Sequence, residues 1–326
     1  MQGTYGNGRL VTVFGGSGFL GRNVVRALAM RGYRVRAAVR RPDLAGFLRP
    51  FGMVGQVHAV QASVRYPSSV AAALHGAVAA VNLVGILSER GKQTFEALQA
   101  TGAANVAAAV AGAGIDNFVH VSAIGADPES NSIYFRTKAE GEAAIRAAVP
   151  GAIIMRPSIQ FGPGDSFLSR FANMARVSPV LPIVGPDTRF QLVYAADVAE
   201  AIAHAVDGNV GPGAIYELGG PEILTFRETM ERLLQVIDRR RPIVSLPFGV
   251  ARLAAPILQR LPGRVITSDQ VRQLRHDVIV SDEAIAGHRT LRDLGVEPTA
   301  LASVLPSYLY HNRPHGQFNK ARDAKS

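Results

Sequence analysis

Val13-Phe14-Gly15-Gly16-Ser17-Gly18-Phe19-Leu20-Gly21 is the stretch that decides the fold. A short apolar run, Leu10–Phe14, leads into it. A segment of helical periodicity, Phe19–Arg31, leads out and stops at Gly32. Each glycine of the 15, 18, 21 spacing has a chemical reason. Gly15 permits a tight turn out of the strand, Gly18 lets backbone approach a pyrophosphate, and Gly21 lets the helix pack on the strand. The helix start then offers unpaired N–H groups and a partial positive charge to phosphates. Contacts to a dinucleotide are expected at Gly15, Ser17, Gly18, Phe19, Leu20 and Gly21.

Outward from this turn, strand-like and helix-like segments alternate. Strands are expected at Tyr33–Val39, Val57–Gln61, Ala77–Val84, Phe118–Val121 and Ala152–Met155. Helices are expected at Pro67–Leu74, Phe95–Ala113 and Tyr134–Ala148. Regular β-α-β alternation implies a parallel sheet with helices on both faces. The strands are continuous apolar runs, as a sheet covered on both faces requires. The apolar stretch Val70–Leu87 reaches the length of a membrane span, but His75, Gly76 and Asn82 interrupt it; it reads as a helix, a turn and a buried strand. Beyond Arg156, prolines and glycines crowd the chain. Asp197 is expected to cap a helix reaching Val206, and Thr225 one reaching Ile237. A strand at Ala214–Leu218 is expected to return to the main sheet. The fold expected is α/β, a Rossmann-type doubly wound parallel sheet with a smaller, mostly helical C-terminal lobe. Residues 8–215 form the NAD(P)-binding domain, and 216–310 the lobe, with contributions from 157–190. Residues 311–326 form a basic tail.

The 326 residues are 48% hydrophobic and 18% charged, enough apolar surface for a sizeable core. There is no cysteine, which excludes disulfides, thiolate metal sites and cysteine nucleophiles. His276, His288, His311 and His315 lack metal-ligand spacing, so no metal is expected. The net charge of +10 favours acidic partners. Arg239-Arg240-Arg241 has no interleaved aromatics of the kind a single-strand surface uses, so nucleic acid is not an expected partner. Met1–Arg9 is polar and glycine-rich, with no signal-peptide pattern. A soluble or peripheral protein without a transmembrane helix is expected.

The second strand ends at Val39 and is followed by Arg40-Arg41. NAD sites usually carry a carboxylate there for the ribose diol, whereas guanidinium groups can pair with a 2′-phosphate. NADP(H), including NADPH, is therefore favoured, with NAD the alternative. Ser122 follows the strand ending at Val121, and Tyr134 and Lys138 lie one helical turn apart. An ammonium ~4 Å from a tyrosinate gains roughly 4 kcal/mol at an effective dielectric of 20. That predicts a Tyr134 phenol drawn toward neutrality by about three units. Such a phenol exchanges a proton with a carbonyl or alcohol while hydride moves. Ser122, Tyr134 and Lys138 are the candidate catalytic set, or a set that only holds the cofactor.

These elements resemble the short-chain dehydrogenase/reductase superfamily, in its extended and atypical branches. The resemblance implies cofactor contacts from Asn82-Leu83-Val84-Gly85 after the fourth strand, from Val121 and Ser122, and from Pro157 and Ser158. Ala62-Ser63-Val64 replaces a stretch where an Asp or Asn is common, which implies adenine contacts mainly to backbone. Val81–Gly85, Phe118–Ser122, Tyr134-Phe135-Arg136-Thr137-Lys138-Ala139-Glu140-Gly141-Glu142 and Phe161-Gly162-Pro163-Gly164-Asp165-Ser166-Phe167-Leu168 are similar to the nucleotide-binding accessory subunits of respiratory complex I. That resemblance implies a tightly held NADPH and subunit partners at the junction of the peripheral and membrane arms. It implies a role in assembly, peripheral to the cytoplasmic face of a bacterial inner membrane, or the matrix side in mitochondria. The amphipathic stretch Leu246–Leu261 could meet a membrane partner or anionic lipid. A free NADP(H)-dependent oxidoreductase acting on a carbonyl, alcohol or sugar-nucleotide-like substrate is the alternative.

Overall fold

In the computed structural model, which describes residues 6–250, 267–314 and 316, the chain opens on β1 (Leu10–Phe14), buried over its last four residues. Then follow α1 (Phe19–Met30), β2 (Arg34–Val39), β3 (Val57–Gln61), α2 (Pro67–Leu74), β4 (Ala79–Asn82), α3 (Thr101–Gly112), β5 (Asn117–Val121), α4 (Ile133–Ala148) and β6 (Ile153–Pro157). The later elements are β7 (Gln160–Phe161), α5 (Phe167–Val177), β8 (Leu181–Val184), β9 (Arg189–Phe190), β10 (Val193–Tyr194), α6 (Ala195–Val206), β11 (Ile215–Leu218), β12 (Leu224–Thr225), α7 (Phe226–Val236) and β13 (Ile243–Leu246).

Seven strands form one sheet in the order β11-β6-β5-β4-β1-β2-β3, with every neighbouring pair parallel. β1 lies inside the sheet between β4 and β2, with Val11 in register with Val35 on one side and Ala79 on the other. Strand order reverses between β1 and β4, and the glycine turn leaves β1 at that switch point, where open α/β sheets bind ligands. α2, α3 and α4 share a core with Phe14, Ala38, Ala80 and Phe118. α1 packs on α6, where Arg31 pairs with Glu200 and reaches Asp207 at 2.8 Å.

Contacts divide the chain into two units. The first holds residues up to Pro157, Ala195–Leu218 and Val280–Glu297; the second holds Ser158–Tyr194, Gly219–Ile279 and Pro298 onward. Val280–Glu297 joins the first unit because Glu217 on β11 accepts the Ser281 N–H at 2.8 Å and its own N–H donates to the Arg289 carbonyl. The second unit has its own core of Phe171, Phe190 and Phe226, with Phe167 packed against it. Three short ladders accompany its helices: β7 with β10, β9 with β12, and β8 with β13. At two to four residues each, they are too short to leave a period in the sequence.

Two boundaries differ from expectation. α6 starts at Ala195, so Asp197 lies in its first turn and is not its cap. Thr225 does cap α7, in a capping box with Glu228. Residues 96–100 form a π-turn ahead of α3, where a continuous helix is expected. Within Leu246–Leu261, Leu246 ends β13 and residues 251–261 lie outside the described residues.

Candidate functional site

Gly15 adopts φ +81°, a left-handed conformation that favours glycine and turns the chain sharply off β1. A Cβ on Gly21 would stand 2.2 Å from the Gly15 carbonyl oxygen, so helix and turn approach too closely for any side chain. At Gly18 the Gly15 oxygen, at 3.2 Å, is the one atom among the described residues within 4 Å of such a carbon, which leaves that surface open to a ligand. α1 begins with no side-chain cap and no acid in its first turn. A helix start of that kind calls for an outside acceptor, and a pyrophosphate fits it. Ser17, Phe19 and Leu20 lie on the same turn and first helical residues.

The other predicted residues reach this end of the sheet by identifiable contacts. The Leu83 N–H donates to the Phe14 carbonyl at 3.0 Å, and a Cβ on Gly15 would lie 3.4 Å from the Leu83 carbonyl carbon. The Val84 N–H donates to Asn82 Oδ1 at 3.1 Å, which fixes the bend after β4. A Cβ on Gly85 would lie 3.4 Å from Lys138 Nζ, and that Nζ donates to the Val121 carbonyl at 3.0 Å. The Ser122 N–H donates to the Met155 carbonyl at 2.7 Å, while its Oγ is buried without a hydrogen-bond partner among the described residues. The glycine turn, residues 82–85, Val121, Ser122 and Lys138 are thus brought together. The Ser122 hydroxyl is an orphan of the kind that a bound nicotinamide or its substrate oxygen would satisfy.

Ala62 and Val64 are buried in the α2–α3 core, and the Ala62 N–H donates to the Val39 carbonyl at 2.8 Å. Their side chains therefore cannot face a ligand; Ser63 is partly exposed. Arg40 and Arg41 are both exposed at the end of β2. Arg41 is committed to Asp43, with Nη2 to Oδ2 at 2.7 Å, and Arg40 has no carboxylate partner among the described residues. Pro157 ends β6 and its carbonyl accepts from the Ile124 N–H. Ser158 opens the second unit and its hydroxyl donates to the Val278 carbonyl at 2.9 Å.

The electrostatics depart from the sequence expectation. Burial pushes the Tyr134 phenol up to about 12, and Lys138 does not draw it toward neutrality. Burial also lowers Lys138 to about 8, partly opposed by Glu142 one helical turn on. Desolvation is the leading cause of both shifts, although Tyr134 keeps part of its surface exposed while Lys138 is buried with its ammonium on a backbone carbonyl. The Tyr134 ring meets Phe95 and Phe135 edge-on at 5.7 and 5.4 Å.

Several supporting residues left no signal in the sequence. Gln99 in the π-turn accepts from Thr137 Oγ at 3.0 Å and donates to the Ile86 carbonyl at 3.0 Å. A Cβ on Gly141 would stand 2.2 Å from the Gln99 carbonyl oxygen, which explains a glycine inside α4. Glu142 holds Arg156 with two bonds of 2.9 and 2.7 Å, tying α4 to β6. His120 is buried beside Asn82, and burial with the nearby Lys138 charge lowers it well below the usual histidine range. A π-turn often marks a functional segment, but only the helix register reveals it.

Comparison with known proteins adds to this geometry. Residues 11–219 match the model of the NAD dependent epimerase/dehydratase family. The mitochondrial NADH-ubiquinone oxidoreductase 40 kDa subunit of Neurospora crassa is 30% identical over 313 residues, covering 96% of this chain and 82% of that protein. The mitochondrial NADH dehydrogenase (ubiquinone) 1 alpha subcomplex subunit 9 of Arabidopsis thaliana is 33% identical over 323 residues, 95% of this chain and 79% of that protein. Among solved structures, an NADPH-dependent quinone oxidoreductase of Escherichia coli in complex with NADPH aligns with a TM-score of 0.71 at 18% identity, covering 91% of this chain and 99% of that one. That likeness shows the fold alone. With a Rossmann-type sheet, a glycine turn at its switch point and a match over most of its length, this chain belongs to the NAD dependent epimerase/dehydratase family.

Proposed function

We propose that this chain is an NADP(H)-holding accessory subunit of a respiratory NADH:quinone oxidoreductase, structural in its assembly and outside the electron path. Relatives at 30–33% identity over nearly the whole chain are named as subunits of that enzyme, and this is the observation that carries the reading. The site supports it. A phenol pushed up to about 12 is poorly matched to proton transfer near neutral pH, and the Lys138 ammonium, which donates to the Val121 carbonyl, does not draw it down. Gly15–Gly21 would cradle the pyrophosphate, Lys138 and Ser122 would face the nicotinamide end, and Arg40 would meet a 2′-phosphate. Bound NADP(H) would bring hydride-transfer capacity; the chain's own residues bind and orient it. The expected partners are complex I subunits where the peripheral and membrane arms join, with anionic lipid beside them. No helix of the described residues is long and apolar enough to cross a membrane, which suits a peripheral place on the inner-membrane face.

The second reading is a free NADP(H)-dependent oxidoreductase. The buried, unpartnered Ser122 Oγ favours it, because a substrate carbonyl would satisfy that hydroxyl. Fractionation of native membranes followed by mass spectrometry of the intact complex separates the two. The accessory reading expects the chain with the membrane enzyme, carrying nucleotide, and a Tyr134→Phe variant that assembles as wild type. A chain found entirely soluble and unassociated, losing turnover on Tyr134→Phe, would overturn it.

A further inference from the structure

The second unit holds a cleft of about 480 Å³ that the nucleotide site does not use. It is an open hollow lined by Arg227, Glu231, Gln235, Arg239, Arg240 and Arg241, with Leu234, Pro242 and Ile243 beside them. α7 places Arg227 and Glu231 one helical turn apart, and Asp238, at φ 51°, turns the chain so that Arg239–Arg241 come back toward the same hollow.

Arginines without a carboxylate partner occur elsewhere among the described residues, Arg36, Arg65 and Arg136 bonding backbone carbonyls, but this cleft groups four of them. Arg31, Arg41, Arg156, Arg189, Arg232, Arg272, Arg289 and Arg292 each pair with a carboxylate. None of the four cleft arginines does so among the described residues. Arg227 Nη2 donates to Ser245 Oγ at 2.9 Å, Arg239 Nε to the Asn312 carbonyl at 2.8 Å, and Arg241 Nε to the Ala175 carbonyl at 3.0 Å. Those bonds to neutral oxygens fix the guanidinium groups in place without neutralising them. Arg240 is exposed, and its side chain makes no hydrogen bond or ion pair among the described residues. The lining thus holds four guanidinium groups, three of them fixed, and one carboxylate, that of Glu231, with Asp238 next to Arg239 in the chain. Like charges held together repel unless an anion joins them. Guanidinium groups match phosphate oxygens in charge and in fork geometry.

We infer that this cleft binds a phosphate-bearing ligand carrying at least two negative charges, either a soluble phosphate compound or the headgroup of an anionic lipid. Arg239 and Arg241 are the preset walls. Arg227 and Arg240 are the groups whose removal costs the fold least.

The test uses the full chain preloaded with one equivalent of NADPH. Inorganic pyrophosphate is titrated by calorimetry, and phosphatidylcholine vesicles with and without phosphatidic acid are tested by co-sedimentation. Wild type is compared with Arg240→Gln and with Arg227→Gln/Arg240→Gln. The variants, not the preload, assign binding to this cleft, and an unchanged thermal midpoint of Arg240→Gln shows the fold is intact. Loss of each guanidinium is expected to weaken binding by roughly tenfold. Pyrophosphate binding that falls this way supports a soluble ligand. Phosphatidate-dependent sedimentation that falls this way, with pyrophosphate inert, supports a lipid headgroup. Absence of both forms of binding, or binding equal in wild type and the double variant, overturns the inference.

Discussion

Replacing Lys138 with Met should make the nucleotide-free protein more stable near neutral pH, and the gain should vanish as the pH rises. Lys138 is 5% exposed and burial holds it at about 8, against an ordinary value of 10.5. A lysine with a lowered folded value is protonated more readily in the unfolded chain than in the native one. Its ammonium therefore penalises folding most below pH 8, and the penalty shrinks between 8 and 10.5. The shift of about 2.5 units corresponds to about 3 kcal/mol. Linkage then predicts that this group alone lets wild-type stability rise by about 2 kcal/mol between pH 7 and pH 9.5. Tyr134 acts with the opposite sign in a higher window, since its raised value stabilises the fold below pH 10 and that contribution fades toward 12. Urea denaturation of wild type and Lys138→Met at pH 7, 8.5 and 9.5, read by far-UV circular dichroism, isolates the lysine by difference. The variant should lack the rise that wild type shows. Parallel stability curves for the two proteins would refute the claim that the ammonium is desolvated, and with it the view that Lys138 is held ready for a ligand's oxygens.

Three further outcomes follow from the packing. Gly21→Ala sets a Cβ against the Gly15 carbonyl oxygen and should cost about 1–3 kcal/mol in denaturation midpoint, together with loss of nucleotide binding. Gly112→Ala at the end of α3, with no atom within 4 Å of the added carbon, should raise stability by up to about 1 kcal/mol, measured in the same assay. Glu142→Ala leaves Arg156 with only the weaker Glu217 contact at 3.7 Å and should destabilise by about 3 kcal/mol; a change under 1 kcal/mol would show the pair to be dispensable.

The sheet was legible because its strands are short apolar runs broken by glycine, and the glycine spacing at 15, 18 and 21 marked the turn where β1 ends. Thr225 announced the start of α7, and the structure adds Glu228 as the other half of its capping box. The misses concern what sequence periodicity cannot carry. A π-turn at 96–100 keeps the same apolar residues as a helix and differs only in register. Glu142 and Arg156 are ordinary charges until α4 folds back over β6. Tyr134 and Lys138 were correctly placed one turn apart, yet their titration depends on burial, which spacing does not report. Arg40 and Arg41 look equivalent in sequence, and only the Asp43 contact distinguishes them.

The central claim is that the turn at Gly15–Gly21 grips a dinucleotide pyrophosphate. Calorimetric titration of the purified, folded chain with NADPH and with NADH tests it most directly. One-to-one binding, tighter for NADPH and abolished in Gly21→Ala, is the expected result. A folded protein that takes up neither nucleotide would contradict the assignment of the site.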